Sequence, residues 1–348
     1  MSAIISYLKK NPLHLLLLAI PLAVVAKLAG WSALLVFCLS AAGVIPLAGL
    51  IGDATEHLAM HTGPKIGGLI NATLGNAAEL IITLLAINKG LLELVKASIT
   101  GSIIGNLLFV LGLSIMAGGL KNGIQKFDRR HTSNSNILLA IAIFGLVTPS
   151  LFSHSTASGI SQKVEALSLS VAAVMIFLYI VGIYYSLKSK TSALSAAVVE
   201  EVEPAAWSVK KSIVLLALAT LGIVVMSEIL VGSVEEVVAS SGISEFFLGI
   251  ILVPIIGNIA EHLVAITTAL KDKMELSMEI AVSSSLQIAL FVAPVLVFVS
   301  LLMGNPLTLV FNSFELAALG AAVLTSYFVS ADGESNWLEG IALLAVYV

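Results

Sequence analysis

The sequence predicts an all-α polytopic membrane protein of about eleven transmembrane helices, built as two inverted halves. Three observations predict it. Of 348 residues, 58% are hydrophobic and 11% charged, with a mean hydropathy of +1.07, far outside the range of water-soluble domains. Uninterrupted apolar runs such as residues 137–151 and 167–187 must satisfy their backbone polar groups internally, and they are too long and too continuously apolar for alternating barrel strands. The third observation is a motif in the first half that returns in the second at a fixed offset.

In chain order, spans are expected at 12–29, 32–55, 66–88, 97–118, 136–153, 166–187, 211–231, 245–269, 276–302 and 308–329. Lys9 and Lys10 precede the first. No small-residue cleavage site follows it and a second span comes at once, so it reads as a retained helix, not a signal peptide. An eleventh span starts near Trp337 and has only the residues to Val348, fewer than the roughly 17–25 a span requires. The last helix is therefore expected to be incomplete.

Basic residues accumulate in short cytoplasmic loops. With the N-terminus inside, only Lys27, Lys89, Lys96 and Lys163 of the 17 Lys and Arg residues fall outside, which predicts a cytoplasmic N-terminus. The multi-pass chain is expected in the plasma membrane. The one long polar interruption, from Ser186 to Trp207, carries Glu200, Glu201, Glu203 and Pro204. It lacks rigid ligand spacing and reads as a solvated linker. The organisation expected is a first helix over 1–31, an N-terminal half over 32–187, a cytoplasmic acidic linker over 188–210 and a C-terminal half over 211–348. Cys38, the single cysteine, lies inside an apolar run without a partner.

Gly75-Asn76-Ala77-Ala78-Glu79 recurs as Gly257-Asn258-Ile259-Ala260-Glu261, an offset of 182 residues. The same offset carries Gly67 to Gly249 and Ser102 to Ser284. By the span count the first copy runs from inside to outside and the second from outside to inside. Inverted repeats with glycine-interrupted helices are the sequence sign of secondary transporters, whose site lies near the midplane at the repeat interface.

Carboxylates within membrane spans are costly, rare and usually functional. Glu79 and Glu261 are such acids, and no Lys or Arg lies deep in any expected span to pair with them. Two opposed carboxylates with hydroxyl and amide oxygens nearby form a hard oxygen set that suits calcium, whereas soft metals would require Cys or a His cluster. Gly-Asn breaks in both copies would free backbone carbonyls as further ligands, and Asn76 and Asn258 would add side-chain oxygens. Ser102 and Asn106 in the fourth span, and Ser284 and Gln287 in the ninth, are candidate ligands or supports. Packing by small and polar residues is the alternative for them.

These segments, with Gly-Ser-Ile-Ile-Gly-Asn at 101–106 and Ser-Ser-Ser-Leu-Gln-Ile-Ala at 283–289, resemble the calcium/proton exchanger family of the cation/calcium exchanger superfamily. The likeness runs from Gly52 to Trp337. It implies eleven helices, as two inverted five-helix halves plus one peripheral N-terminal helix. It also implies calcium carried at Glu79 and Glu261, with Asn76 and Asn258 beside them and Ser284 and Gln287 in support. His262 matches the family's Glu-His pair. Where the family shows a longer acidic stretch between the halves, this chain has only Glu200, Glu201 and Glu203.

Glu56 and Glu228, late in the spans that open each half, read either as proton relays or as solvated vestibule acids, with Asp53 a weaker candidate. His57 and His61 are spaced i, i+4 as in a zinc site, but no third strong ligand accompanies them. His131 and His154 read as loop residues and His14 as interfacial. His262 suits gating or proton transfer, or a core hydrogen bond. The function expected is calcium/proton antiport by alternating access, with no cofactor beyond the transported Ca2+ and H+, the lipid bilayer as surroundings and no nucleic-acid partner. Sodium-coupled calcium exchange is the alternative that the same glutamates would serve. An intramembrane hydrolase would need a nucleophile with a base or an aspartate dyad, and the sequence shows neither.

Overall fold

Hydrocarbon surroundings leave the backbone no partner but itself, and the chain answers with helices almost throughout. The computed structural model describes residues 12–62, 70, 73–155, 161–188 and 206–348. A short 3-10 turn, Pro12–Leu18, leads into α1 (Ala19–Leu28). Then follow α2 (Ala33–Thr62), α3 (Ala77–Asn88), α4 (Leu92–Asn122), α5 (Arg129–Ser155) and α6 (Ser161–Lys188). The second half holds α7 (Val209–Ser241), α8 (Glu245–Leu270), α9 (Met274–Leu302), α10 (Ser313–Val329) and α11 (Trp337–Tyr347). Among the described residues, 7 helices are long and apolar enough to cross a membrane. Large apolar side chains such as Phe144 on α5, Phe177 on α6 and Phe328 on α10 stand exposed, as lipid-facing positions do. Lys9, Lys10, Lys65, Gly67, Lys190 and the three linker glutamates fall outside the described residues.

Small residues let the helices approach where the site forms. A methyl at Gly101 of α4 would overlap the Ile250 carbonyl of α8, and one at Gly249 of α8 would meet Ala97 Cβ and Leu94 O at 2.7 Å. The two backbones therefore touch at glycine, without side chains between them. Gly340 of α11 and Gly112 of α4 make a similar crossing, a Cβ on Gly340 lying 2.7 Å from the Gly112 carbonyl.

Departures from α-geometry sit at this same level. Gly105–Val110 in α4, Leu248–Leu252 in α8 and Ile288–Val292 in α9 are π-helical, a feature concentrated at functional sites. The first and last of these also correspond at the 182-residue offset, with a one-residue difference at the start. The expected Gly-Asn breaks divide differently. Gly75 and Asn76 form a turn immediately before α3, but α8 runs unbroken as α-helix from Val253 through Gly257 and Asn258. That expectation is corrected for the second copy: the helix continues through Gly257, where a Cβ would make ordinary van der Waals contact with Glu79 Cβ at 3.5 Å.

Between α9 and α10 the chain is non-helical over residues 305–312, with Leu307, Leu309 and Phe311 buried. Its backbone donors find serines on three helices. Leu307 N–H donates to Ser300 Oγ at 2.8 Å, Leu309 N–H to Ser168 Oγ at 3.1 Å and Phe311 N–H to Ser150 Oγ at 2.9 Å. This meets the requirement that irregular backbone at membrane depth be satisfied by protein. Asn312 then opens α10 with a capping box closed by Glu315. A two-residue ribbon pairs β1 (Gln125–Lys126) antiparallel with β2 (Glu334–Ser335), tying the α4–α5 loop to the α10–α11 loop.

Gly101→Ala is expected to cost about 1–3 kcal/mol through overpacking against backbone that cannot yield. Gly232→Ala, with nothing within 4 Å of the added methyl, is expected to leave stability unchanged. Thermal unfolding of both variants in detergent checks this.

Candidate ion-binding site

Glu79 lies in the first turn of α3, after the N-cap Asn76, where the partial positive charge of the helix terminus favours an anion. Its side chain is fully buried. Ser102 Oγ of α4 donates to Glu79 Oε1 at 2.5 Å, and Asn258 Nδ2 of α8 donates to Oε2 at 3.3 Å. Ser98, one turn before Ser102 on the same face of α4, also lies beside this carboxyl. Asn258 Nδ2 reaches the Pro254 carbonyl within its own helix at 3.2 Å as well.

Glu261 follows Asn258 by three residues on α8 and so shares its face. It is partly buried, and its carboxyl is close enough to interact electrostatically with Glu79. The Ser284 hydroxyl of α9 lies beside it. Across the halves, Asn76 Nδ2 donates to Gln287 Oε1 at 2.6 Å and Asn106 Nδ2 donates to Ser284 Oγ at 3.0 Å. His262 Nε2 donates to Asn106 Oδ1 at 3.1 Å.

All eight residues expected around the ion thus converge, together with His262. The pattern of satisfied and unsatisfied atoms is the informative part. Asn76 Oδ1, Asn258 Oδ1 and Glu261 Oε2 are buried and accept no hydrogen bond from the described residues. Buried polar atoms are ordinarily paired, and these bare oxygens, two amide and one carboxylate, beside Glu79 are of the kind that could hold a hard cation. The ion pair Lys126–Glu334, at 3.1 Å, lies at the surface. Among the described residues, no Lys or Arg acts on either acid.

Glu56 and Glu228 are exposed on α2 and α7 and stand outside this cluster. His57 and His61 engage Trp207, just before α7: the His57 ring centroid lies 4.6 Å from that of Trp207, and His61 Nε2 donates to its carbonyl at 2.7 Å. Two groups escaped the sequence reading. Ser98 was legible in principle, since it precedes Ser102 by one turn. Glu315, buried on α10 and accepting from Thr100 Oγ1 at 3.3 Å, had no local signal because its partner lies 215 residues away.

Comparison with known proteins places this geometry among ion exchangers. The sodium/calcium exchanger protein family model matches residues 32–188 and 211–348. The Ca2+/H+ antiporter ChaA of Bacillus subtilis is 44% identical over 94% of each chain. The Ca2+/H+ antiporter of Synechocystis is 42% identical, covering 97% of this chain and 95% of its own. A crystal structure of the Ca2+/H+ antiporter protein YfkE superposes with a TM-score of 0.84 at 40% identity, covering 97% of both chains.

Gln287→Leu is expected to strand the Asn76 amide without an acceptor and to destabilise the protein by about 1–3 kcal/mol. Thermal unfolding in a calcium chelator checks this apart from any effect on ion binding.

Proposed function

The chain belongs to the sodium/calcium exchanger protein family, and from that premise we propose that it is a Ca2+/H+ antiporter working by alternating access. Near-full-length relatives at 40–44% identity named as Ca2+/H+ antiporters support this reading and do not favour sodium as the counter-ion. The single observation that carries the site assignment is the set of unpaired buried oxygens, Asn76 Oδ1, Asn258 Oδ1 and Glu261 Oε2, beside Glu79.

In this reading Glu79 and Glu261 carry the ion, and Asn76 and Asn258 complete its oxygen shell. Ser102, Ser284 and Gln287 hold those ligands in place. A calcium ion offsets the charge of both carboxylates. Protons neutralise the same oxygens, so the two cargoes exclude one another without a separate sensor. Bare carboxylates are costly against hydrocarbon, so the halves exchange access when the site is neutralised and resist doing so when it is charged. Glu56 and Glu228, on the paired helices α2 and α7, are assigned to proton delivery.

The finer architecture belongs to the same proposal. It is eleven helices, with inverted five-helix halves over 32–187 and 211–348, a peripheral first helix over 1–31 and a linker over 188–210. The two stretches matched by the family model support this division. The 182-residue offset and the basic-residue distribution support inversion, with the N-terminus on the cytoplasmic side of the plasma membrane.

In proteoliposomes, Glu79→Gln and Glu261→Gln are each expected to lower calcium uptake driven by a pH gradient about 100-fold or more, and Ser284→Ala about tenfold. Wild-type uptake in either Gln variant would refute the site. Because protons compete for the carboxylate oxygens, apparent calcium affinity is expected to fall as pH falls, and calcium binding to release protons into weakly buffered solution. Binding that is independent of pH, or uptake that requires sodium, would transfer the coupling to sodium.

A further inference from the structure

Glu261 and His262 are neighbours on α8, but adjacent helical residues point about 100° apart. They nevertheless meet through a closed circuit of other helices. His262 Nε2 donates to Asn106 Oδ1 at 3.1 Å on α4, and Asn106 Nδ2 donates to Ser284 Oγ at 3.0 Å on α9. The Ser284 hydroxyl in turn lies beside the Glu261 carboxyl, returning the circuit to α8. Each member is buried or nearly so.

The direction of the circuit follows from the chemistry of its parts. An amide carbonyl only accepts and an amide nitrogen only donates. With His262 Nε2–H on its carbonyl, Asn106 must turn its amino group to Ser284. The Ser284 oxygen then accepts, which leaves its single O–H to donate to Glu261. His262 Nδ1 is buried with no hydrogen-bond partner, so the Nε2–H is the one contact through which the ring acts. Asn106 also differs from Asn76 and Asn258: its Oδ1 is taken, whereas theirs are bare.

We infer that His262 and Asn106 are positioning residues whose task is to aim the Ser284 hydroxyl at Glu261, with Asn106 outside the shell of direct ion ligands. The inference rests on the ion site proposed above. Without the His262 donor, the Asn106 amide is free to leave or turn over. Its carbonyl then competes for the Ser284 proton, and Glu261 loses the donor that holds its carboxylate oriented toward the ion. His262 therefore acts on calcium affinity through Ser284 and by no independent route.

The test is a double-mutant cycle on the full-length protein, with calcium binding measured by titration calorimetry. Ser284→Ala and His262→Leu are each expected to raise the calcium Kd about tenfold, the loss of one hydrogen bond to a charged group. Together they are expected to do no more than either alone. His262→Gln, whose amide can supply the missing N–H, is expected to return the Kd to within about twofold of wild type. A purely structural histidine would not show this rescue or this non-additivity. If the leucine variant does not fold, His262→Asn, whose shorter amide stops short of Asn106, takes its place. Wild-type affinity in the donor-less variant, effects that multiply to about a hundredfold, or a folded Gln variant without rescue each overturn the inference. Unchanged binding in Glu79→Gln and Glu261→Gln would instead overturn the ion site itself, so the two failures are separable.

Discussion

Every other feature of this protein is arranged around a carboxylate buried within a membrane fold and given no basic side chain to pair with among the described residues. Glu79 is fully buried. In such surroundings a charge without compensation is costly, and the protein supplies partial remedies only. The start of α3 contributes its dipole, Ser102 a short hydrogen bond and Asn258 a longer one. These donors orient the carboxyl and lower the cost of its charge without replacing a cation. A Lys at this position would give a more comfortable core and leave nothing for a transported ion to do.

That constraint explains why the helices cross on glycine. Bringing Glu261 and Asn258 of α8 beside Glu79 requires α8 to lie against both α3 and α4, and the close approaches at Gly249 and Gly101 allow this. Side chains at those crossings would hold the helices apart and separate the oxygens. The π-helical segments in α4, α8 and α9 fall at the same depth, where they shift the register of the side chains that follow. Elsewhere, the serines that clasp residues 305–312 show another way of satisfying backbone within the fold: hydroxyls from α5, α6 and α9 provide the acceptors that a helix would have found in itself.

Polar contacts at the site mostly join one half to the other. Asn76 with Gln287, Asn258 with Glu79, and Asn106 with both Ser284 and His262 all cross the division. A change in the charge of the site is therefore felt by the contacts that hold the halves together. In the proposed function this would be the physical link between binding and a change of access that a secondary transporter requires. Few of these bonds lie between side chains near in sequence, so the site exists only when both halves are assembled.

The sequence by itself determined the solvent, the element type and the identity of the central residues. Hydropathy and run length are local quantities, and a hydrocarbon environment admits few alternatives to helices. The two glutamates were legible because acids are rare in membrane spans and because the 182-residue offset pairs them. Tertiary structure decided what each oxygen does. Local sequence suggested a break at both Gly-Asn pairs, but α8 runs on as helix through Gly257 while the chain turns at Gly75 and Asn76. Nothing in the spacing distinguishes Asn106, whose carbonyl is taken by His262, from Asn76 and Asn258, whose carbonyls accept no hydrogen bond. Nor does it reveal that Glu56 and Glu228 stand outside the cluster, or that Glu315 meets Thr100. Those partners lie 156 to 215 residues apart, and their meeting depends on how closely the helices cross, which periodicity along one helix does not encode.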